Sequence, residues 1–434
     1  MKKYIAFLLF LSFVACDKEF IDPTRPTDAK VFSSREGLIG AANGLQSRWS
    51  VGQNSSLYQL IVLNGCTTNE TIFQVGNANE ADLQLGGSSI DPSNRVLTNV
   101  WTQCLITKSE SEKVLKGIEL LINPVEKASV KAHASIFRAL ALGTLVQFFE
   151  KAPIITQVNA TFNTRTEVLQ EAINTLESNL PTINQATGIP AANVLINSIN
   201  YKNTTYALLA RYNLMLGNYN AALFYANLVD LTSKSTFLFD AVASNQVFLT
   251  GVNPTPAVGF RPLNNRFGLP TVLEPVAADG RIAFYFTATQ TSGFYNYVGF
   301  FDTATKLIPV YLPGEITLIK AEAHARLNDL PNATIELNKI LQKTTAQDAF
   351  LIGANLPPYS GANTQTDILL EIYRNRCIEL FLTGMKLEDT RRFQRPLTPG
   401  PVPAATLFEC NRRFLPYPNS ERFNNTNTPA NPAN

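Results

Sequence analysis

The sequence predicts a mainly α-helical protein: a tetratricopeptide-like scaffold of paired helices carrying a loop-rich, irregular subdomain. Three observations carry that expectation. Apolar residues recur at helical spacing in a series of long stretches. Two of those stretches share small residues at matching offsets around a turn. Between 232 and 311 the helical period is lost, and short aromatic and β-branched runs alternate with Pro and Gly.

The N-terminus reads as a leader. Met1-Lys2-Lys3 is basic, and Tyr4–Ala15 is an apolar run of twelve residues. Twelve residues rise about 18 Å as a helix, too short for a hydrocarbon core of about 30 Å. The segment 1–15 is therefore expected to be a signal peptide. Cys16 directly follows Val14-Ala15, as in a lipobox, where the thiol is acylated and becomes the mature N-terminus; Phe13 stands where Leu is usual. Residues 17–30 form an expected tether, because Pro23 and Pro26 oppose a helix.

The remainder, 16–434, reads as a single domain. A helix is expected over Ser34–Trp49, capped by Ser33 or Ser34. Residues 51–95 are polar and rich in Gly and Asn, and read as loop. Helical periodicity resumes over Val96–Leu121, Val125–Phe149, Arg165–Leu180, Tyr201–Leu231, Pro313–Leu341 and Thr366–Arg392. The scaffold thus spans about 30–50, 96–231 and 312–395, with loop-rich parts at about 51–95, 232–311 and 396–434. In the repeat-like pairs, Ala207-Leu208-Leu209-Ala210 leads to Gly217-Asn218-Tyr219 and then Ala222 and Ala226. Ala321, Ala323 and Ala325 lead to Asn328-Asp329-Leu330 and then Ala333 and Leu337. Small residues at these offsets let two helices approach closely around a reversing turn. Ala210, Ala222, Ala323 and Leu337 are expected in the core.

Composition narrows the function. Hydrophobic residues make up 45% and charged residues 16% of the 434, enough to bury a core. Lys2 and Lys3 account for the formal net charge of +2, so the rest of the chain is balanced. No basic stripe marks a nucleic-acid surface. Cys66, Cys104, Cys377 and Cys410 allow three full pairings, and the sequence does not choose between them. Cys104 and Cys377 fall in helical patterns, and read as buried free thiols. The histidines are His133 and His324, each in a helical pattern without a partner histidine. There is no GxSxG elbow, P-loop or GxGxxG. Glu379 is expected to pair with Arg376 or Arg392 and not to act as a glycosidase acid. No catalytic residue, metal or cofactor is expected.

A ligand built of hydroxyl-bearing rings would call for flat aromatic faces and for amide or guanidinium donors. Trp49 and Trp101 fall in helical patterns and read as scaffold. The loop aromatics Phe73, Phe294, Tyr295, Tyr297 and Phe300 are better placed, with Asn69, Asn77, Gln84 and Asn296 beside them. Tyr295 and Tyr297 alternate with Asn296, so on a strand they share one face and either both bind or both pack inward.

Segment order then carries a resemblance. The start Cys16-Asp17-Lys18-Glu19-Phe20-Ile21-Asp22-Pro23, the Trp101 helix, Phe137-Arg138-Ala139-Leu140-Ala141 running to Ala152-Pro153-Ile154, the helix with Glu315 and Ala321-Glu322-Ala323, Glu379-Leu380-Phe381-Leu382-Thr383-Gly384 with Asp389 and Arg391-Arg392, and Phe414-Leu415-Pro416-Tyr417-Pro418 together resemble the SusD/RagB family of outer-membrane nutrient-binding lipoproteins. Glu150 replaces the usual Gly, and Thr383 the usual Glu. The resemblance implies a helical-repeat fold with a loop-rich ligand face. It implies capture of a glycan or other oligomeric nutrient for a SusC-like TonB-dependent transporter, from a lipid-anchored, surface-exposed position on the outer membrane. Two other readings stay open: a tetratricopeptide-like scaffold binding another envelope protein, and a surface glycosidase.

Overall fold

The computed structural model describes residues 28–73, 78–187, 198–252, 259–262, 264–290, 293–395 and 409–433. The leader, Cys16, Asn77 and the segment 396–408 lie outside the described residues.

Helices dominate. α1 (Arg35–Ser50) begins where Ser34 Oγ accepts the Gly37 N–H, as the sequence anticipates. α2 spans Ser56–Thr67, and every one of its residues is buried. This corrects the expectation that 51–95 is loop. A helix covered on all sides needs no polar face, so Leu57, Leu60, Ile61, Val62 and Leu63 leave no amphipathic period to read. α3 (Ala78–Leu85) follows. α4 (Arg95–Lys116) and α5 (Pro124–Phe148) form an antiparallel hairpin, and Asn94 and Asn123 cap their starts. α6 (Arg165–Glu177) opens with a capping box between Thr164 and Glu167.

The repeat-like pairs appear as α7 (Tyr201–Leu216) with α8 (Tyr219–Ala226), and α9 (Pro313–Arg326) with α10 (Leu330–Leu341). Gly217 closes α7 in the left-handed region, at φ 80°. The second pair lacks that glycine, and Asn328 takes the same role at φ 61°; Asn tolerates this region better than most residues. α8 packs on α9, joining the pairs. Ala210, Ala222, Ala323 and Leu337 are all fully buried. α11 (Gln365–Glu379) and α12 (Lys386–Arg392) finish the scaffold.

Strands are two or three residues long and antiparallel: β1 (Ile72–Phe73) with β5 (Phe260–Arg261), β2 (Lys151–Pro153) with β3 (Phe162–Thr164), and β4 (Thr236–Phe237) with β6 (Ile308–Pro309). Residues 232–311 are irregular as expected, with short helical segments at Gln246–Gly251 and Gly280–Tyr285. The C-terminal segment closes over the scaffold: Trp101 Nε1 donates to Glu421 at 3.0 Å, and the Trp101 ring stacks on Phe162 at 5.7 Å. Trp49 and Trp101 are both core residues. Cys66, Cys104, Cys377 and Cys410 are all buried free thiols.

Candidate functional site

The two sequence-predicted clusters meet. Phe73 ends β1 and sits opposite Phe260 of β5, while Ile72 sits opposite Arg261. Nearby, the chain leaving Gly280–Tyr285 turns back on itself. Phe286 and Tyr297 form an antiparallel bridge, Thr287 N–H donates to the Asn296 carbonyl at 3.0 Å, and Asn296 N–H donates to Thr287 Oγ1 at 3.1 Å. Gly251 joins the two clusters. A Cβ there would lie 2.9 Å from the Tyr297 ring and 3.3 Å from the Phe260 carbonyl oxygen. Only glycine lets the two segments approach this closely.

The loop between α2 and β1 is clasped from below. Lys386 Nζ donates to the carbonyls of Thr68 (3.0 Å), Phe267 (2.8 Å) and Gly268 (2.8 Å). Glu70 accepts from Leu382 N–H at 3.2 Å and from the Asn64 amide. Burial pushes the Glu70 carboxyl up to about 7, with Lys386 opposing the rise. Asn69 sits within this clasp at φ 56°, and is 8% exposed. Its backbone shapes the loop, but its side chain is not on the open surface, contrary to the expected ligand contact.

Tyr297 also needs correcting. It is fully buried, with its ring 6.1 Å from Phe381 and 6.2 Å from Phe301. Tyr295 is half-buried and packs against Phe286 at 6.1 Å. The expectation that both share one fate assumed a strand. The segment makes isolated bridges at Phe294 and Tyr297 and no continuous strand, so period-two alternation does not govern it. Phe73, Phe294 and Asn296 are half-buried as well. Asn296 Oδ1 and Arg261 Nε are enclosed without a hydrogen-bond partner among the described residues.

Phe294, Tyr295 and Asn296 thus lie half-buried together on one loop, while on the β1–β5 ladder Phe73 shares a side with Phe260 and Arg261 lies on the other side with Ile72. The loop residues can stack on a ring and bond its hydroxyls. Arg261 was not singled out from the sequence; the signal available was an Arg beside Phe260, between Gly259 and Pro262. An opening of about 620 Å³ lies elsewhere, between Leu231, Pro313, Ile335 and Lys343 on the scaffold. Volume favours that opening, but no aromatic lines it.

The acidic candidate Glu379 is held in ion pairs. Glu379 is buried and bonds Arg281 at 3.3 Å and Lys343. Its cations come from distant segments, which corrects the expected pairing with Arg376 or Arg392. Arg376 bonds Asp389 instead, at 2.9 Å. His133 is buried against Tyr201, and His324 bonds Asp329 at 2.9 Å. Among the described residues no helix is long and apolar enough to cross a membrane.

No family model matches the chain, and no curated protein does. Solved structures do. A SusD superfamily protein from Parabacteroides distasonis superposes with a TM-score of 0.70 at 15% identity, over 94% of this chain and 99% of its own. A SusD-like carbohydrate binding protein from Bacteroides vulgatus gives 0.67 at 18%, over 91% and 97%. B. fragilis NanU gives 0.67 at 14%, over 95% and 99%. The chain has the SusD-like helical fold, along nearly its whole length.

Proposed function

We propose that this chain is a cell-surface lipoprotein that captures a glycan or other oligomeric nutrient and passes it to a SusC-like TonB-dependent transporter. One observation supports the reading: on a SusD-like fold, half-buried Phe294, Tyr295 and Asn296 crowd one loop, and that loop meets the segment paired with Phe73 where Gly251 approaches Tyr297 and Phe260. Half-buried aromatics are held rigid by their packed side, while the open side remains to stack on a sugar ring. The Asn296 side chain, on the same loop, supplies an amide for a hydroxyl contact. Three of the similar structures are named as carbohydrate or sugar binding proteins, which favours a glycan over other oligomers. Cys16 is the proposed acylation site, and the lipid holds the chain on the outer membrane.

Titration calorimetry of the purified chain against a glycan panel tests the capture role. Binding of at least one oligosaccharide without turnover supports it. Hydrolysis of the glycan would instead establish the glycosidase reading. A chain that binds no glycan, but co-purifies with an envelope protein other than a TonB-dependent barrel, would establish the scaffold reading. Cys16→Ala should release the protein from the outer-membrane fraction or stall its processing.

A further inference from the structure

α9, α11 and α12 meet at a second opening, of about 390 Å³, lined by Leu369, Leu370 and Phe393 and by Arg326, Arg392 and Arg395. It shares no residue with the loop face and does not depend on the capture role. The charges around it do not balance. Arg165, Arg326, Arg376, Arg391, Arg392 and Arg395 form ion pairs with only four carboxylates: Glu322, Glu388, Asp389 and Glu409. All four carboxylates are almost wholly buried behind the opening, and none lines it. Of the six, Arg326, Arg392 and Arg395 line the opening.

The local bonding leaves donors available. Arg326 uses Nη2 on the Arg392 carbonyl, at 2.9 Å, and on Glu322. Arg395 uses Nε on Glu409, at 2.9 Å. Nη1 of Arg326 and both terminal nitrogens of Arg395 have no partner among the described residues. Phe393 fixes the two inner arginines: the Arg326 and Arg392 guanidinium carbons lie 5.0 and 5.4 Å from its ring centroid. Stacked guanidiniums are pre-organised, and their planar forks match a carboxylate.

We propose that this opening binds the free carboxylate of a peptide C-terminus whose last residue is apolar. The arginines take the carboxylate, and Leu369, Leu370 and Phe393 take the side chain. Thr366, Tyr373 and Gln394 also line the opening, so a sugar acid is the competing occupant, and the glucuronate arm of the test separates the two. Phosphate would use the arginines but leave Leu369, Leu370 and Phe393 uncovered.

Ligand-observed NMR and calorimetry on the purified full chain separate these cases, using N-acetyl-leucine, its amide, glucuronate and inorganic phosphate as probes. N-acetyl-leucine should bind, and its amide should bind at least ten-fold more weakly. Arg326→Gln should weaken binding about ten-fold. Arg395→Gln, at the rim and with little packing to lose, should weaken it several-fold. Equal binding of acid and amide, tighter binding of glucuronate or phosphate, or full affinity in a folded Arg395→Gln and Arg326→Gln pair each overturns the assignment. So does the absence of N-acetyl-leucine binding at millimolar concentration.

Discussion

Arg211 and Glu315 form a two-pronged ion pair deep in the scaffold, with Nε to Oε1 at 2.6 Å and Nη2 to Oε2 at 2.7 Å. The pair ties α7 to α9, and so one helix pair to the other. Arg211 also donates to the Val310 carbonyl at 3.3 Å. Removing one partner leaves a buried charge without its counterion. Arg211→Met should therefore cost about 3–5 kcal/mol. Replacing both partners, as Arg211→Met with Glu315→Leu, should recover most of that loss. Urea unfolding of the three variants measures it, and a double variant as unstable as the single one would show that the pair stabilises through more than its own charges.

Glu70 makes stability depend on pH near neutrality. Its carboxyl is held at about 7 in the fold, chiefly by burial, against an ordinary value of 4.5. Between these values the unfolded chain has already lost the proton that the folded chain keeps. The folded state is then favoured less as pH rises, and the loss is complete once pH passes about 7. The contribution is on the order of 3 kcal/mol at most. Melting curves from pH 4.5 to 7.5 should show a falling component in the parent that is absent in Glu70→Gln, whatever the variant's absolute stability. Parallel curves for the two proteins would place the Glu70 value near that of an ordinary carboxylate.

The buried thiols should be inert. Burial pushes Cys66, Cys104 and Cys377 up to about 12 and raises Cys410 as well. Only the thiolate attacks a disulfide reagent. In a Cys16→Ser chain, the aromatic disulfide reagent DTNB should release little colour from native protein and four equivalents after denaturation, one for each free cysteine. Fewer than four in denaturant without reductant would reveal a disulfide.

How much of this was legible depends on how locally each feature is encoded. The helix start at Ser34 is written in the next three residues, and the sequence reads it; the Thr164–Glu167 capping box is as local, but only the periodicity after it was read. The turn at Asn328 is equally local. α2 is different: Ser56–Thr67 is wrapped on all sides, so tertiary burial removes the polar face on which helix recognition relies. Glu379 fails for a related reason, because Arg281 lies 98 residues away and no spacing rule reaches it. The candidate ligand segments were found because Gly, Asn and aromatic residues crowd together at 293–297. Which of those aromatics faces outward was not legible, since that depends on the bridge to Phe286 and the approach of Gly251.

Tyr295 and Tyr297 should therefore behave as opposites. The Tyr297 hydroxyl is buried with no hydrogen-bond partner among the described residues, and a buried hydroxyl without a partner costs about 1–3 kcal/mol. Tyr297→Phe removes that oxygen and keeps the ring that packs on Phe301 and Phe381. It should leave glycan affinity unchanged and raise the melting temperature. Tyr297→Ala removes the ring from the core and should cost about 3–5 kcal/mol. Tyr295 packs with only part of its ring, so Tyr295→Ala should keep the fold, by circular dichroism, with a small loss of stability. If the open part of that ring stacks on a sugar, affinity should fall about ten-fold or more. Phe294→Ala and Phe73→Ala should act in the same direction. A folded Tyr295→Ala protein with full affinity for every glycan that the parent binds would remove this face from the capture site. The scaffold opening beside Lys343 would then become the next place to mutate.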